Sequence, residues 1–336
     1  MKVRALLLAV AVLAVPALST GCASDENSIT VYSGRSENLV GPILAQFTEA
    51  TGIDVDVRYG NSADLALQLE TEGDNTPADV FISQSPGAMG FVAENGMLAK
   101  VPADVANLVQ PDFRNESNDW VGVSGRIRVL VYNTDLVDKK ELPKSVFDLT
   151  EADYNGKVAL APANGSFQDF ITAMRADKGD EAAQAWLDGM AANDALAYAD
   201  NTSIVQAVGR GEAPMGLVNH YYNERALAED PDVPSQNHFF AKGDVGSVLL
   251  ATGTGVISNT ERPEQAESLV RFLLGPQAQE FFTNETFEYP LAIDIEPAQG
   301  QVPLAEVSAT EVDFDKLAGG FRKTLEMING SGLSSN

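Results

Sequence analysis

The sequence has one cysteine, Cys22, and two histidines, His220 and His238. A lone thiol cannot form an internal disulfide, and so few thiols and imidazoles leave little to build the sites that zinc and copper favour. Basic residues are scarce too: 22 Lys and Arg stand against 48 Asp and Glu, a formal charge of −26. A chain this acidic repels polyanions, which argues against nucleic acid as a partner, and the excess serves solubility in any case. Several catalytic patterns are missing: there is no Gly-x-Ser-x-Gly elbow, no His-Glu-x-x-His, no Gly-rich phosphate loop ending in Lys, and no nucleophilic cysteine. An enzyme, for instance a metal-dependent hydrolase, is therefore the weakest reading. Repeats and low-complexity segments are also absent.

At the start of the chain, Lys2 and Arg4 precede an apolar run from Ala5 to Leu18. A charged start and a short apolar centre make an export signal and fall short of a membrane span. The run ends in Leu18-Ser19-Thr20-Gly21-Cys22, small residues before a cysteine that resemble a lipobox. The expectation is a lipoprotein signal over residues 1–21 and a lipid on Cys22, which would be the only membrane attachment, followed by a polar tether over 22–28. Loss of residues 1–21 removes two basic residues and no acidic ones, leaving 20 against 48 and a charge of −28.

A chain of 336 residues exceeds one compact core and predicts two lobes. The first lobe opens with the strand Ile29–Tyr32, a polar turn Ser33–Glu37, and Leu39, Val40, Ile43, Leu44 and Phe47 at helical spacing up to a glycine stop at Gly52. A strand from Ile53 to Tyr59, a helix capped by Ser62 and a strand Asp79–Ser83 ending at Gln84-Ser85-Pro86-Gly87 repeat the alternation. Such alternation implies α/β lobes with mixed sheets flanked by helices. Arg126 to Tyr132 alternates basic and apolar residues before running fully apolar, and Val248 to Ile257 is a second long apolar run. These fit two hinge strands crossing between lobes. The expected division is lobe 1 over 29–126 and 251–300, lobe 2 over 127–250, and a C-terminal helical segment, 301–336, on lobe 2.

In lobe 2 the strand Lys157–Leu160 leads to Asn164-Gly165-Ser166, and a helix capped by Ser203 leads to the strand Met215–Val218. That strand breaks into Asn219-His220-Tyr221-Tyr222-Asn223 before a helical pattern resumes at Glu224. Ligands of open α/β sheets bind beyond the carboxyl ends of the strands. Four polar turns follow four strands, so an interlobe cleft would gather them. Paired phenolates are hard anionic oxygens that suit a small trivalent cation such as ferric iron. Two of them leave such an ion one positive charge, which an exogenous anion can balance. Asn164, Gly165, Ser166, Asn201 and Asn219 are donors suited to that anion. Without further support, a Tyr-Tyr pair after a strand is packing, and each histidine is structural.

The segments Ile29-Thr30-Val31-Tyr32-Ser33-Gly34, Ala78-Asp79-Val80-Phe81, Gly125-Arg126-Ile127-Arg128-Val129, Pro162 to Phe167, Asn219-His220-Tyr221-Tyr222 and Glu288-Tyr289-Pro290-Leu291, in that order, resemble the ferric-ion-binding proteins of bacterial iron ABC transporters. The resemblance implies the two-lobed periplasmic substrate-binding protein fold, Fe(III) on Tyr221 and Tyr222, and a synergistic phosphate, carbonate or citrate on Asn164, Gly165, Ser166, Asn201 and Asn219, with Arg126 beside them. It also implies a monomer at the cell surface or in the periplasm, with a membrane permease and an ATPase as partners. Some relatives supply a histidine and a glutamate from the first lobe where this chain has Ser36 and Gln84. Ser36, Glu37, Gln84 and His220 are therefore the candidate extra cleft residues. That departure keeps an alternative open: a related receptor for a small organic anion or phosphonate, without metal.

Overall fold

The computed structural model describes residues 27–298, 301, 304, 314, 317 and 320–333. The signal segment, Cys22 and most of the 22–28 tether lie outside the described residues. From the N-terminal side the elements are β1 (Ser28–Ser33), α1 (Glu37–Thr51), β2 (Asp54–Tyr59), α2 (Ser62–Glu72), β3 (Val80–Ser83), α3 (Pro86–Glu94), α4 (Ala103–Ala106) and β4 (Val121–Asn133). There follow β5 (Val158–Leu160), α5 (Gly165–Lys178), α6 (Asp180–Ala192), β6 (Leu196–Ala197), α7 (Asn201–Gly209), β7 (Met215–Asn219), α8 (His220–Glu229) and β8 (Ser235–His238). The chain continues through β9 (Leu249–Val256), α9 (Pro263–Leu273), α10 (Pro276–Asn284), β10 (Tyr289–Pro290) and α11 (Phe321–Gly330). Among the described residues no helix is long and apolar enough to cross a membrane.

The strands follow the order β2-β1-β3-β9-β4-β7-β5-β6, with β8 and β10 paired to β4. β1 lies parallel to β2 and β3 on one side, and β5 lies parallel to β6 and β7 on the other. Antiparallel β9 and β4 join the two parallel halves. β4 pairs with β9 from Val121 to Ile127 and with β7 from Arg128 to Tyr132, so it passes from one half to the other between Ile127 and Arg128. All its residues are buried, which accounts for its unbroken apolar stretch, and the strand begins five residues earlier than the Arg126 start expected from sequence. Two α/β halves joined by antiparallel strands make the mixed, helix-flanked, two-lobed fold expected above.

Two caps differ from expectation. Asp200, not Ser203, caps α7, its side chain accepting from the Ser203 N–H at 2.7 Å. Asn61 holds the cap position of α2, and Ser62 instead accepts from the Gln84 N–H at 3.2 Å, tying two cleft turns together. Near the C-terminus, α11 touches helices of both halves. Thr324 shares a 2.8 Å hydrogen bond with Thr172 of α5, and Phe321 lies 5.5 Å from Phe91 of α3.

Gly216 lets β7 lie close against its neighbours: a Cβ there would sit 2.3 Å from Ile204 Cγ2 and 3.1 Å from the Ala159 Cβ. Both neighbours are fully buried, so relief requires backbone movement. Gly216→Ala should lower stability by about 1–3 kcal/mol, measured by urea unfolding. A midpoint equal to that of the wild type would contradict this packing.

Candidate functional site

The strand β7 delivers Asn219 to its end, and α8 begins immediately at His220. The tyrosines thus occupy the first turn of a helix that starts four residues before Glu224, the start predicted from sequence. Unpaired N–H groups and the positive end of the helix dipole favour negative charge there. Tyr221 is fully buried, Tyr222 keeps a partly exposed edge, and their rings stack at 4.3 Å between centroids and 28° between planes. Burial, and next the neighbouring Tyr221, push the Tyr222 phenol well above its ordinary pKa. The Tyr222 phenol is therefore neutral at neutral pH, and an ion that ligates it has to displace its proton.

Three buried guanidiniums surround the pair. Arg35, from the turn after β1, donates to the Tyr221 hydroxyl at 3.2 Å and to Glu288 at 2.6 Å. Burial would lower its pKa, but Glu288 and the two phenols reverse this and hold it raised. Glu288 also accepts from Ser124 at 3.0 Å and Thr286 at 2.9 Å. Its neighbour Phe287 has φ 59°, a left-handed conformation that costs a side-chain-bearing residue energy. The strained turn aims the Phe287 carbonyl at His220 Nε2, 3.0 Å away, next to the Glu288 that reaches Arg35.

Arg126 and Arg128 stand two apart on β4 and so share one face of the strand. Arg126 lies 3.6 Å from Asp169 and 3.3 Å from Thr252 Oγ1. Burial lowers its pKa while Asp169 opposes the shift. Burial, then repulsion from Arg126, takes Arg128 down to about 9, still protonated at neutral pH. Asp169 reaches across the cleft, accepting from Ser85 Oγ at 2.6 Å and the Gly87 N–H at 3.2 Å at the start of α3. Burial raises its carboxyl to about 7, against the lowering effect of Arg126 and of the Ser85 and Gly87 hydrogen bonds. Among buried atoms without a hydrogen-bond partner are Arg126 Nε and one of its terminal nitrogens, Arg128 Nε, Asn219 Nδ2 and Asp169 Oδ2. Four of these five are donors, an arrangement that suits an oxyanion.

Of the expected anion residues, Ser166, Asn201 and Asn219 come together at Arg128. Asn164 caps α5, accepting from the Ser166 N–H at 3.0 Å and hydroxyl at 2.7 Å. Gln84 crosses to Gly165, where a Cβ would sit 3.3 Å from its amide nitrogen. Ser36 and Glu37 are exposed, and Glu37 packs along α1 towards Tyr59, so their neighbour Arg35 is the residue of that turn that reaches the tyrosines. His220 is corrected as a candidate cleft ligand: Nδ1 accepts from the Ile127 N–H at 3.2 Å and Nε2 faces the Phe287 carbonyl. Both nitrogens are committed, and burial lowers its pKa to about 4. His238 is likewise structural, with Nε2 2.7 Å from the Pro143 carbonyl. Sequence reading missed Arg35, Arg128, Asp169 and Glu288 as site residues. For Arg128 the signal was present, since a residue two from Arg126 on a strand shares its face. Among the described residues no three His, Cys, Asp or Glu side chains cluster to hold a metal.

Two α/β halves closing hinge strands around a polar, charged cleft define a two-lobed solute-binding protein. The chain belongs to the bacterial extracellular solute-binding protein family, whose model matches residues 33–280. It is 32% identical over 320 residues to the Fe(3+)-binding periplasmic protein of Serratia marcescens, covering 94% of each chain. It is 31% identical over 316 residues to the major ferric iron-binding protein of Neisseria meningitidis serogroup A, covering 92% of each. Among solved structures, iron-bound HitA from Pseudomonas aeruginosa aligns with a TM-score of 0.87 and 30% identity, over 91% of this chain and 99% of that one. The resemblance to ferric-ion-binding proteins is thus borne out at the level of family and fold.

Two consequences are measurable. Glu288→Gln leaves Arg35 buried without its counter-charge and should cost about 3–5 kcal/mol in unfolding free energy; a loss below about 1 kcal/mol, the range of a solvated pair, would contradict the burial. For Asp169, the folded carboxyl titrates near 7 against 3.8 for the ordinary group. The folded state then binds more protons between those values, so the group's contribution to stability falls as pH rises from about 4 to about 7. The stability of the wild type minus that of Asp169→Asn should decline over that window and flatten above it. A flat difference throughout would mean that Asp169 is not desolvated.

Proposed function

We propose that this chain is the exported substrate-binding lipoprotein of an ABC transporter for ferric iron. Tyr221 and Tyr222 ligate the ion as phenolates, a synergistic oxyanion completes the site, and the loaded monomer delivers its cargo to a permease energised by an ATPase. Residues 29–126 and 251–300 form lobe 1, residues 127–250 form lobe 2, and the C-terminal segment rides on lobe 2. Cys22 carries the lipid that tethers it at the cell surface or in the periplasm.

The observation that carries this reading is the stacked phenol pair in the first turn of α8, buried among guanidiniums. Cationic surroundings lower the cost of two phenolates. With both phenols ionised and Fe(III) bound, three guanidiniums, Asp169 and Glu288 leave about two positive charges uncompensated in a low-dielectric site. A dianion such as carbonate or hydrogen phosphate, or the more highly charged citrate, removes that excess. The names of the Serratia, Neisseria and Pseudomonas relatives support iron as the cargo. A Trichodesmium neighbour in complex with iron and citrate, 25% identical with a TM-score of 0.76 over 91% of this chain, supports an oxyanion beside it.

One observation favours the alternative cargo, a small organic anion or phosphonate. Where the resemblance implies a histidine and a glutamate this chain has Ser36 and Gln84, and the first-lobe side chain that reaches Tyr221 is Arg35, a pure donor. A putative 2-aminoethylphosphonate-binding periplasmic protein of Salmonella typhimurium is 25% identical over 297 residues, 86% of each chain. The phenol pair still favours iron, because hydrogen bonding to a phosphonate does not require two stacked tyrosines.

The test is a ferric titration of the metal-free protein followed by visible absorption, with and without carbonate or phosphate. A tyrosinate-to-iron charge-transfer band should appear with the anion present. Tyr221→Phe and Tyr222→Phe should each weaken iron binding by about 100-fold or more, about 2.7 kcal/mol. A colourless protein whose melting temperature rises with a phosphonate alone would overturn iron in favour of the second cargo.

A further inference from the structure

Asn219 sits at the cap position of α8, where an asparagine oxygen ordinarily accepts the N–H of the second or third helical residue, yet its side chain makes no cap hydrogen bond. Its Oδ1 instead accepts from Arg128, whose terminal nitrogen lies 3.3 Å from Asn219 Oδ1, 3.3 Å from Asn201 Oδ1 and 3.3 Å from Ser166 Oγ. The other terminal nitrogen donates to the Leu217 carbonyl at 3.0 Å, and the guanidinium lies 5.7 Å over the Phe170 ring. Arg128 is thus pinned by strand, ring and carbonyl, with no freedom to follow its neighbours. A guanidinium carries donors only. Any amide touching it must present oxygen, because a flipped amide would set N–H against N–H.

This has a directional consequence. With Oδ1 committed to Arg128, the Asn219 amide nitrogen faces away from it, and that nitrogen is buried without a partner. Forgoing a cap and stranding a buried donor both cost stability. A bound acceptor would recover the second of these.

Resting on the reading of this cleft as an iron and oxyanion site, we infer that Arg128 is the positioning residue of that site: it fixes the amide orientation of Asn219 and Asn201 so that Asn219 offers its N–H groups to the oxyanion. Arg128 acts through the asparagines, and the phenols remain the metal ligands.

The experiment uses the full folded protein, ferric nitrilotriacetate as iron source, and carbonate or phosphate as titrant. Arg128→Lys keeps the charge but loses the planar fork that holds three oxygens. It should still form the tyrosinate band at saturating anion, while the anion concentration for half-formation rises about tenfold or more. In wild type, the Asn219 side-chain amide signal in nitrogen-15 NMR should shift when anion is added; in Arg128→Lys that shift should shrink or split into two orientations. Because Arg128 is buried, Asn219→Asp provides a second arm. It retains an oxygen for Arg128 and loses the donor, so it should remain folded and raise the anion concentration for half-formation to a similar degree. If wild type forms no band, the iron reading fails. If wild type forms the band and both variants form it at the wild-type anion concentration, or the amide shift is the same in Arg128→Lys, the iron reading stands and the positioning role is overturned.

Discussion

Burying like charge is the constraint around which this molecule is arranged. Arg35, Arg126 and Arg128 are withdrawn from water in a body whose formal charge is −26, and each needs compensation where it lies. Glu288 supplies it to Arg35 and Asp169 to Arg126. For Arg128 the nearest partners are uncharged oxygens from Ser166, Asn201, Asn219 and Leu217. The compensation comes from sequence positions far apart, so the site exists only when both parallel halves and both crossing strands are in place. Fold and cleft are specified by the same contacts, and the strained Phe287 turn and the cap-less Asn219 are local costs accepted for that arrangement.

Much of the architecture could be read from apolar spacing. The alternation of short strands with amphipathic helices gave a two-lobed α/β chain, and the two long apolar runs gave its crossing strands, because residues buried on both faces need no polar alternation. Helix starts were less legible. At Tyr221 and Tyr222 the polarity of the first turn looked like a loop, whereas the turn is polar because it faces a cleft. At α7 the expected cap was Ser203, and Asp200, three residues earlier, takes that role; both types cap well and only geometry separates them.

The candidate site was half legible. Motif order and the phenol pair located its second-lobe side, since chemistry and position coincide there. Attention to residue types that ligate metals singled out Ser36 and Glu37 in the first lobe, which are exposed, and His220 in the second, and passed over Arg35. A buried donor such as Arg35 shapes a site without being a ligand, and its partner Glu288 lies 253 residues away. Sequence separation of that size carries no local pattern. His220 shows the converse: an imaginable ligand whose two nitrogens are spent holding β4 and the Phe287 turn together.

The strand that passes between the lobes also carries two of the three guanidiniums, with the change of partner falling between them, after Ile127. Bending the strand at that point would therefore alter the spacing of Arg126 and Arg128 directly, with no intervening lever. An oxyanion in the cleft would screen one from the other. Without one, two buried cations stand two residues apart on one strand, and their mutual repulsion would oppose any bend that brings them closer.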